Sequence, residues 1–81
     1  MNNYKPLKRL TKKRNLMNMT QEQLAKKAKV SRPLLSNIER GAASPSLMSA
    51  YRIAKALNST IDEIFFGTNV HKMNNIDKEA S

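Results

Sequence analysis

The 81 residues contain no cysteine, which removes both a disulfide framework and a thiolate metal site and permits, without requiring, a reducing compartment. Histidine occurs once, as His71 in a polar stretch without neighbouring ligands, so no metal and no other cofactor is expected. Apolar runs are only a few residues long, too short to span a membrane, and Met1 to Lys13 lacks the apolar core of a secretion signal. A cytoplasmic location without membrane contact is the expectation. Acidic residues are also scarce, 6 against 15 Lys and Arg for a net charge of +9. The imbalance lies upstream: residues 1–59 hold 13 basic and 2 acidic side chains, residues 60–81 hold 2 and 4. A basic body suits a polyanion, although a merely solvated surface would also carry such charge. The length allows one small domain with a modest core, for which self-association would add stability.

The stretch from Thr20 to Gly41, TQEQLAKKAKVSRPLLSNIERG, is the most structured in its signals. Thr20 with Gln23 three residues on has capping-box spacing, predicting a helix from Gln21 that buries Leu24, Ala25 and Ala28. Ser31 then caps a second helix with apolar positions Leu34, Leu35 and Ile38, and Gly41 supplies a left-handed stop. Lys29 and Val30 alone separate the two elements, so the segment reads as a helix-turn-helix over residues 20–41.

If Leu35 and Ile38 face the first helix, then Arg32, Pro33, Ser36, Asn37 and Arg40 point outward. An α-helix fits the major groove, where Arg can pair with guanine and Asn with adenine through two hydrogen bonds each.

Upstream, a helix is predicted from about Leu7 to Met17, with Leu7, Leu10, Arg14 and Met17 on one face and Asn18 as its stop. Its outer positions Lys8, Arg9, Lys12 and Lys13 read equally as a phosphate-contacting wall or as solvated surface. Downstream, Ser46 should cap a fourth helix burying Leu47, Ala50, Ile53, Ala54 and Leu57, with Asn58 as its left-handed stop. Thr60 and Glu63 repeat the capping-box spacing and begin a short fifth helix through Phe66, ended by Gly67. Residues 68–81 read as a polar tail in which Val70, Met73 and Ile76 recur at threes, the only hint of a further helical turn.

The segments resemble the phage repressor and Cro class of DNA-binding proteins, the Xre family. The likeness is carried by Gln21, Leu24, Ala25, Val30, Ser31, Ile38, Glu39, Arg40 and Gly41, then by Pro45, Ser46 and Leu47, IAKAL at Ile53 to Leu57, and IDEIFFG at Ile61 to Gly67. It covers about Leu7 to Gly67. It implies an all-α, five-helix lambda-repressor-like domain over residues 1–67, an Arg14–Glu39 pair tying helix 1 to helix 3, and double-stranded DNA as partner. Two departures stand out: Pro33 and Leu34 replace polar residues early in the recognition helix, and Ala42, Ala43 and Ser44 replace a basic loop. The first implies fewer hydrogen-bonded base contacts and a larger share for DNA shape, and the second leaves basic phosphate contacts mostly to helices 1 to 3.

Arg32, Pro33, Ser36 and Asn37 are the expected base-contacting residues, with Pro33 limited to a thymine methyl group. Gln21, Ser31, Arg40 and Ser44 are the expected phosphate contacts, Gln21 because it opens a helix whose free N–H groups and dipole favour an anion. Family members usually bind as two-fold dimers on half-sites about one turn, roughly 34 Å, apart. The expected seam is helix 5, with Ile64, Phe65 and Phe66; Ile61, Ile64 and Phe65 also read as core, leaving Phe66 the better seam residue. The resulting expectation is a transcriptional regulator, most simply a dimeric repressor on an inverted repeat, without a small-molecule ligand. An antitoxin whose tail covers a protein partner is the alternative, and no constellation for enzyme catalysis is present.

Overall fold

The computed structural model describes residues 5–67, which form five helices and no strand: α1 Lys8–Leu16, α2 Gln21–Ala28, α3 Arg32–Arg40, α4 Leu47–Ala56 and α5 Asp62–Phe66. The proposed tail, His71 and the Val70, Met73 and Ile76 pattern lie outside the described residues.

Short side chains set the starts of the later helices, whereas α1 begins after Leu7 without a side-chain cap. Thr20 Oγ1 accepts from the Gln23 N–H at 3.0 Å while Gln23 Oε1 accepts from the Thr20 N–H at 2.8 Å, a complete capping box. Ser31 accepts from the Leu34 N–H at 3.2 Å and Ser46 from the Ser49 N–H at 3.1 Å. Thr60 accepts from the Glu63 N–H at 3.1 Å, while the Glu63 carboxylate takes the Ser59 hydroxyl at 2.6 Å. The last element, α5, is one wide π turn, not a regular α-helix, closed by Gly67 donating its N–H to the Asp62 carbonyl. Asn18 and Asn58 follow α1 and α4 in the left-handed region, at φ 57° and 54°.

The core is built around Leu10, Leu24, Leu35, Ile38, Ile53 and Leu57, all fully buried. Side chains of this size contribute about 1.5–3 kcal/mol each on burial, enough to hold a domain whose helices are individually too short to persist in water. Packed on α2 lie α3 and α4, and α1 sits against α5 and α3. Leu47 departs from the expected stripe: it is 79% exposed, because it is the first residue after the Ser46 cap and overhangs the end of the core. Ala56 is buried in α4 as well.

The N-terminal segment crosses the end of α3. Leu7 donates its N–H to the Glu39 carbonyl at 2.8 Å, and Gly41, at φ 82°, lies so close to Lys5 that a Cβ there would stand 2.2 Å from the Lys5 carbonyl oxygen. Gly41 therefore serves both as helix stop and as the point of close approach.

Candidate nucleic-acid interface

The turn between α2 and α3 is three residues long, and its first, Lys29, adopts a left-handed conformation at φ 60° and ψ 42°. Its N–H meets the Ala25 and Lys26 carbonyls, closing α2, and the chain then swings into the extended Ser31 cap. This reversal fixes the angle at which α3 leaves α2. Leu35 and Ile38 are sealed in the core and Leu34 is half-buried against it.

The opposite side of α3 is open. Arg32, Pro33 and Arg40 are exposed, and Ser36 and Asn37 are half-buried. Pro33 stands in the first turn, where its missing N–H removes no helical bond. Ser31 is exposed beyond its capping role, and so is Ser44 in the following loop. That loop is held to α3 by the Asn37 carbonyl, which accepts from the Ala42 N–H at 2.8 Å and the Ala43 N–H at 3.2 Å. Asn37 and Arg40 are joined through their side chains, with Arg40 Nη2 donating to Asn37 Oδ1 at 2.6 Å.

Glu39 belongs to the same helix but turns inward, 6% exposed. Its Oε2 accepts from Arg14 Nε at 2.7 Å, and its Oε1 accepts from Arg14 Nη2 at 3.1 Å, Thr11 Oγ1 at 3.2 Å and Gln21 Nε2 at 3.0 Å. Arg14 spends a further donor on the Met19 carbonyl at 2.8 Å. The expected Arg14–Glu39 pair is thus the centre of a network joining α1, α2 and α3. Gln21, expected to turn toward phosphate, gives one amide hydrogen to Glu39 and retains the second. The Thr11 and Gln21 contacts escape sequence reading because they span 28 and 18 residues.

The electrostatics of this face follow from which carboxylates are absent from it. On α2 and α3 the acidic residues are Glu22, which is exposed and stands against five exposed cations, and Glu39, which is buried against Arg14. Lys26, Lys27, Lys29, Arg32 and Arg40 remain exposed, so the helix pair presents positive charge and mostly hydrogen-bond donors. Among the described residues no group of His, Cys, Asp and Glu could hold a metal ion, and no helix is long and apolar enough to cross a membrane.

At the expected seam the three residues part company. Ile64 is 3% exposed and belongs to the core, the second of its two expected placements. Phe65 is half-buried against the core and Phe66 is 69% exposed. Phe66 shares a groove of about 410 Å³ with Leu7, Pro45, Leu47, Ile61 and Phe65, so the exposed Leu47 of α4 joins α5 at this surface.

Comparison with known proteins agrees with this geometry. A family described as Helix-turn-helix matches residues 10–64. An uncharacterized HTH-type transcriptional regulator of Archaeoglobus fulgidus is 44% identical over 57 residues, 70% of this chain and 80% of its own. One from Methanocaldococcus jannaschii is 50% identical over 52 residues, 64% of this chain and 79% of its own. The restriction-modification controller protein C.AhdI from Aeromonas hydrophila superposes with a TM-score of 0.68 at 31% identity, over 72% of this chain and 88% of that one. The chain belongs to the helix-turn-helix family of the Xre, or Cro/C1, type, whose members are DNA-binding transcriptional regulators and not enzymes.

Proposed function

We propose that the chain is a sequence-specific repressor that binds an inverted-repeat operator as a homodimer and acts by occluding a promoter. The observation that carries this reading is the division of α3 into a sealed apolar side and an open side bearing Arg32, Ser36, Asn37 and Arg40. Arg32 and Asn37 reach base edges, Ser36 contributes a hydroxyl, and Pro33 touches a thymine methyl group. Gln21, Ser31, Arg40 and Ser44 lie on phosphates, where they fix register without reading sequence. The remaining amide hydrogen of Gln21 is the donor for that contact, and Glu39 holds the side chain in place for it. A single short helix reads too few base pairs to locate one site, so a second copy is required, and the exposed Leu47 and Phe66 provide an apolar seam for it. Regulation then comes from protein concentration or from a partner.

Selection of bound duplexes from a random pool, followed by footprinting, tests the reading. It predicts two inverted half-sites with centres about one helical turn, on the order of 34 Å, apart. Recovery of unrelated sequences, or of a single half-site bound by a monomer, would refute it.

A further inference from the structure

The 2.6 Å bond between Arg40 Nη2 and Asn37 Oδ1 bears on which bases α3 reads. Asn recognises adenine by a two-point pairing: Oδ1 accepts from the adenine N6 amino group while Nδ2 donates to N7. Here the acceptor half of that pair is already held by a guanidinium one helical turn away, at the i, i+3 spacing that brings side chains together. Oδ1 keeps a second lone pair, but the guanidinium beside it weakens it as an acceptor, so Nδ2 is the stronger partner for the groove. Among the other open side chains of α3, the Ser36 hydroxyl is the one neutral acceptor, and no exposed carboxylate accompanies it. Arg32 is donor-only, Pro33 has neither group on its side chain, and the helix's one carboxylate, Glu39, is buried against Arg14, Thr11 and Gln21.

We infer that Asn37, clamped by Arg40, reads chiefly as a donor and favours guanine, whose N7 and O6 both accept, or O4 of thymine, over adenine, which offers Nδ2 only N7, where an unclamped Asn would select adenine by its two-point pairing. Arg40 is then a positioning residue for specificity as well as a phosphate contact. The two roles are compatible, because a guanidinium has five N–H donors and the clamp uses one. This rests on the proposed placement of α3 in the major groove. It goes further by naming the base class at one position and the residue that sets it.

The test is selection from a random duplex pool with the full chain and with its Asn37→Ala and Arg40→Met variants; Met keeps an unbranched apolar stem and removes the guanidinium. Both positions lie at the surface side of α3, and circular dichroism verifies the fold. Asn37→Ala identifies the position by loss of preference there. At that position the unaltered chain should favour guanine or thymine, and Arg40→Met should move the preference toward adenine by about tenfold while lowering affinity for all sequences alike. Adenine already favoured by the unaltered chain, or a guanine or thymine preference untouched by Arg40→Met, would overturn the clamp and leave the proposed function standing. A pool without any enriched sequence would overturn both.

Discussion

Arg14 and Glu39, 25 residues apart, meet through two hydrogen bonds, Nε to Oε2 at 2.7 Å and Nη2 to Oε1 at 3.1 Å, with side chains only 12% and 5% exposed. The pair lies between α1 and the last turn of α3, so the pose of the recognition helix depends on it. Removing one partner strands the other charge away from water. Arg14→Ala and Glu39→Ala should each cost about 3–5 kcal/mol in urea unfolding, and replacing both with apolar residues should cost less than the two single changes combined. A loss below about 1 kcal/mol in either single variant would show that the network does not hold α3.

Backbone conformation provides a test with opposite signs at two positions. Lys29 is left-handed at φ 60°, a conformation that costs a side-chain-bearing residue roughly 1–2 kcal/mol and glycine little. Lys29→Gly should therefore raise stability by about 0.5–1 kcal/mol once the greater freedom of unfolded glycine is counted. Gly41→Ala should lower it by more than about 1 kcal/mol, through strain at φ 82° and overlap with the Lys5 carbonyl. Thermal unfolding midpoints read both, and a common sign would contradict the assignment.

The residues of the proposed seam separate folding from the proposed self-association. Leu47→Ser and Phe66→Ser should leave the monomer's stability within about 0.5 kcal/mol and weaken self-association seen by sedimentation equilibrium. Ile64→Ser should unfold the domain instead, because Ile64 is buried. Unchanged association in the Leu47 and Phe66 variants would place the seam elsewhere.

Glu63 gives a pH signature. Its carboxyl is held below the ordinary value of 4.5, first by the Ser59 hydroxyl, opposed by partial desolvation, and then by Thr60 and the charge of Lys13. A depressed value in the folded state stabilises above the unfolded pKa and is lost as pH falls through the folded one, so the contribution vanishes on the acid side of 4.5. Ser59→Ala should move the Glu63 carbon resonance titration upward toward the ordinary value; an unmoved titration would show that the hydroxyl is not the cause.

How much was legible in the sequence depends on range. Thr20, Ser31 and Ser46 act on N–H groups three residues away, and the stripes of α2 and α3 repeat within one or two turns, so local rules sufficed. The Thr11 and Gln21 bonds to Glu39 depend on how three helices meet, which spacing does not encode. Leu47 fits the stripe of α4 but stands at its first turn, on the open rim of the groove it shares with Phe66, where little covers it. Lys29 concealed its left-handed backbone because the turn demands that conformation while lysine gives no sign of it. At the interface, the outward residues of α3 were readable by subtraction from its apolar side, whereas the Arg40–Asn37 bond required coordinates.

Methylation protection of the selected operator tests the central claim most directly, since dimethyl sulfate attacks guanine N7 in the major groove and adenine N3 in the minor groove. With α3 in the major groove, guanine N7 positions should be protected in both half-sites, on one face of the duplex about one turn apart. One protection per half-site should disappear with Arg32→Ala, which should also cost about 1–3 kcal/mol on the matched sequence. Protection confined to adenine N3, or a pattern and affinity unaltered by Arg32→Ala, would contradict the placement of α3 in the major groove.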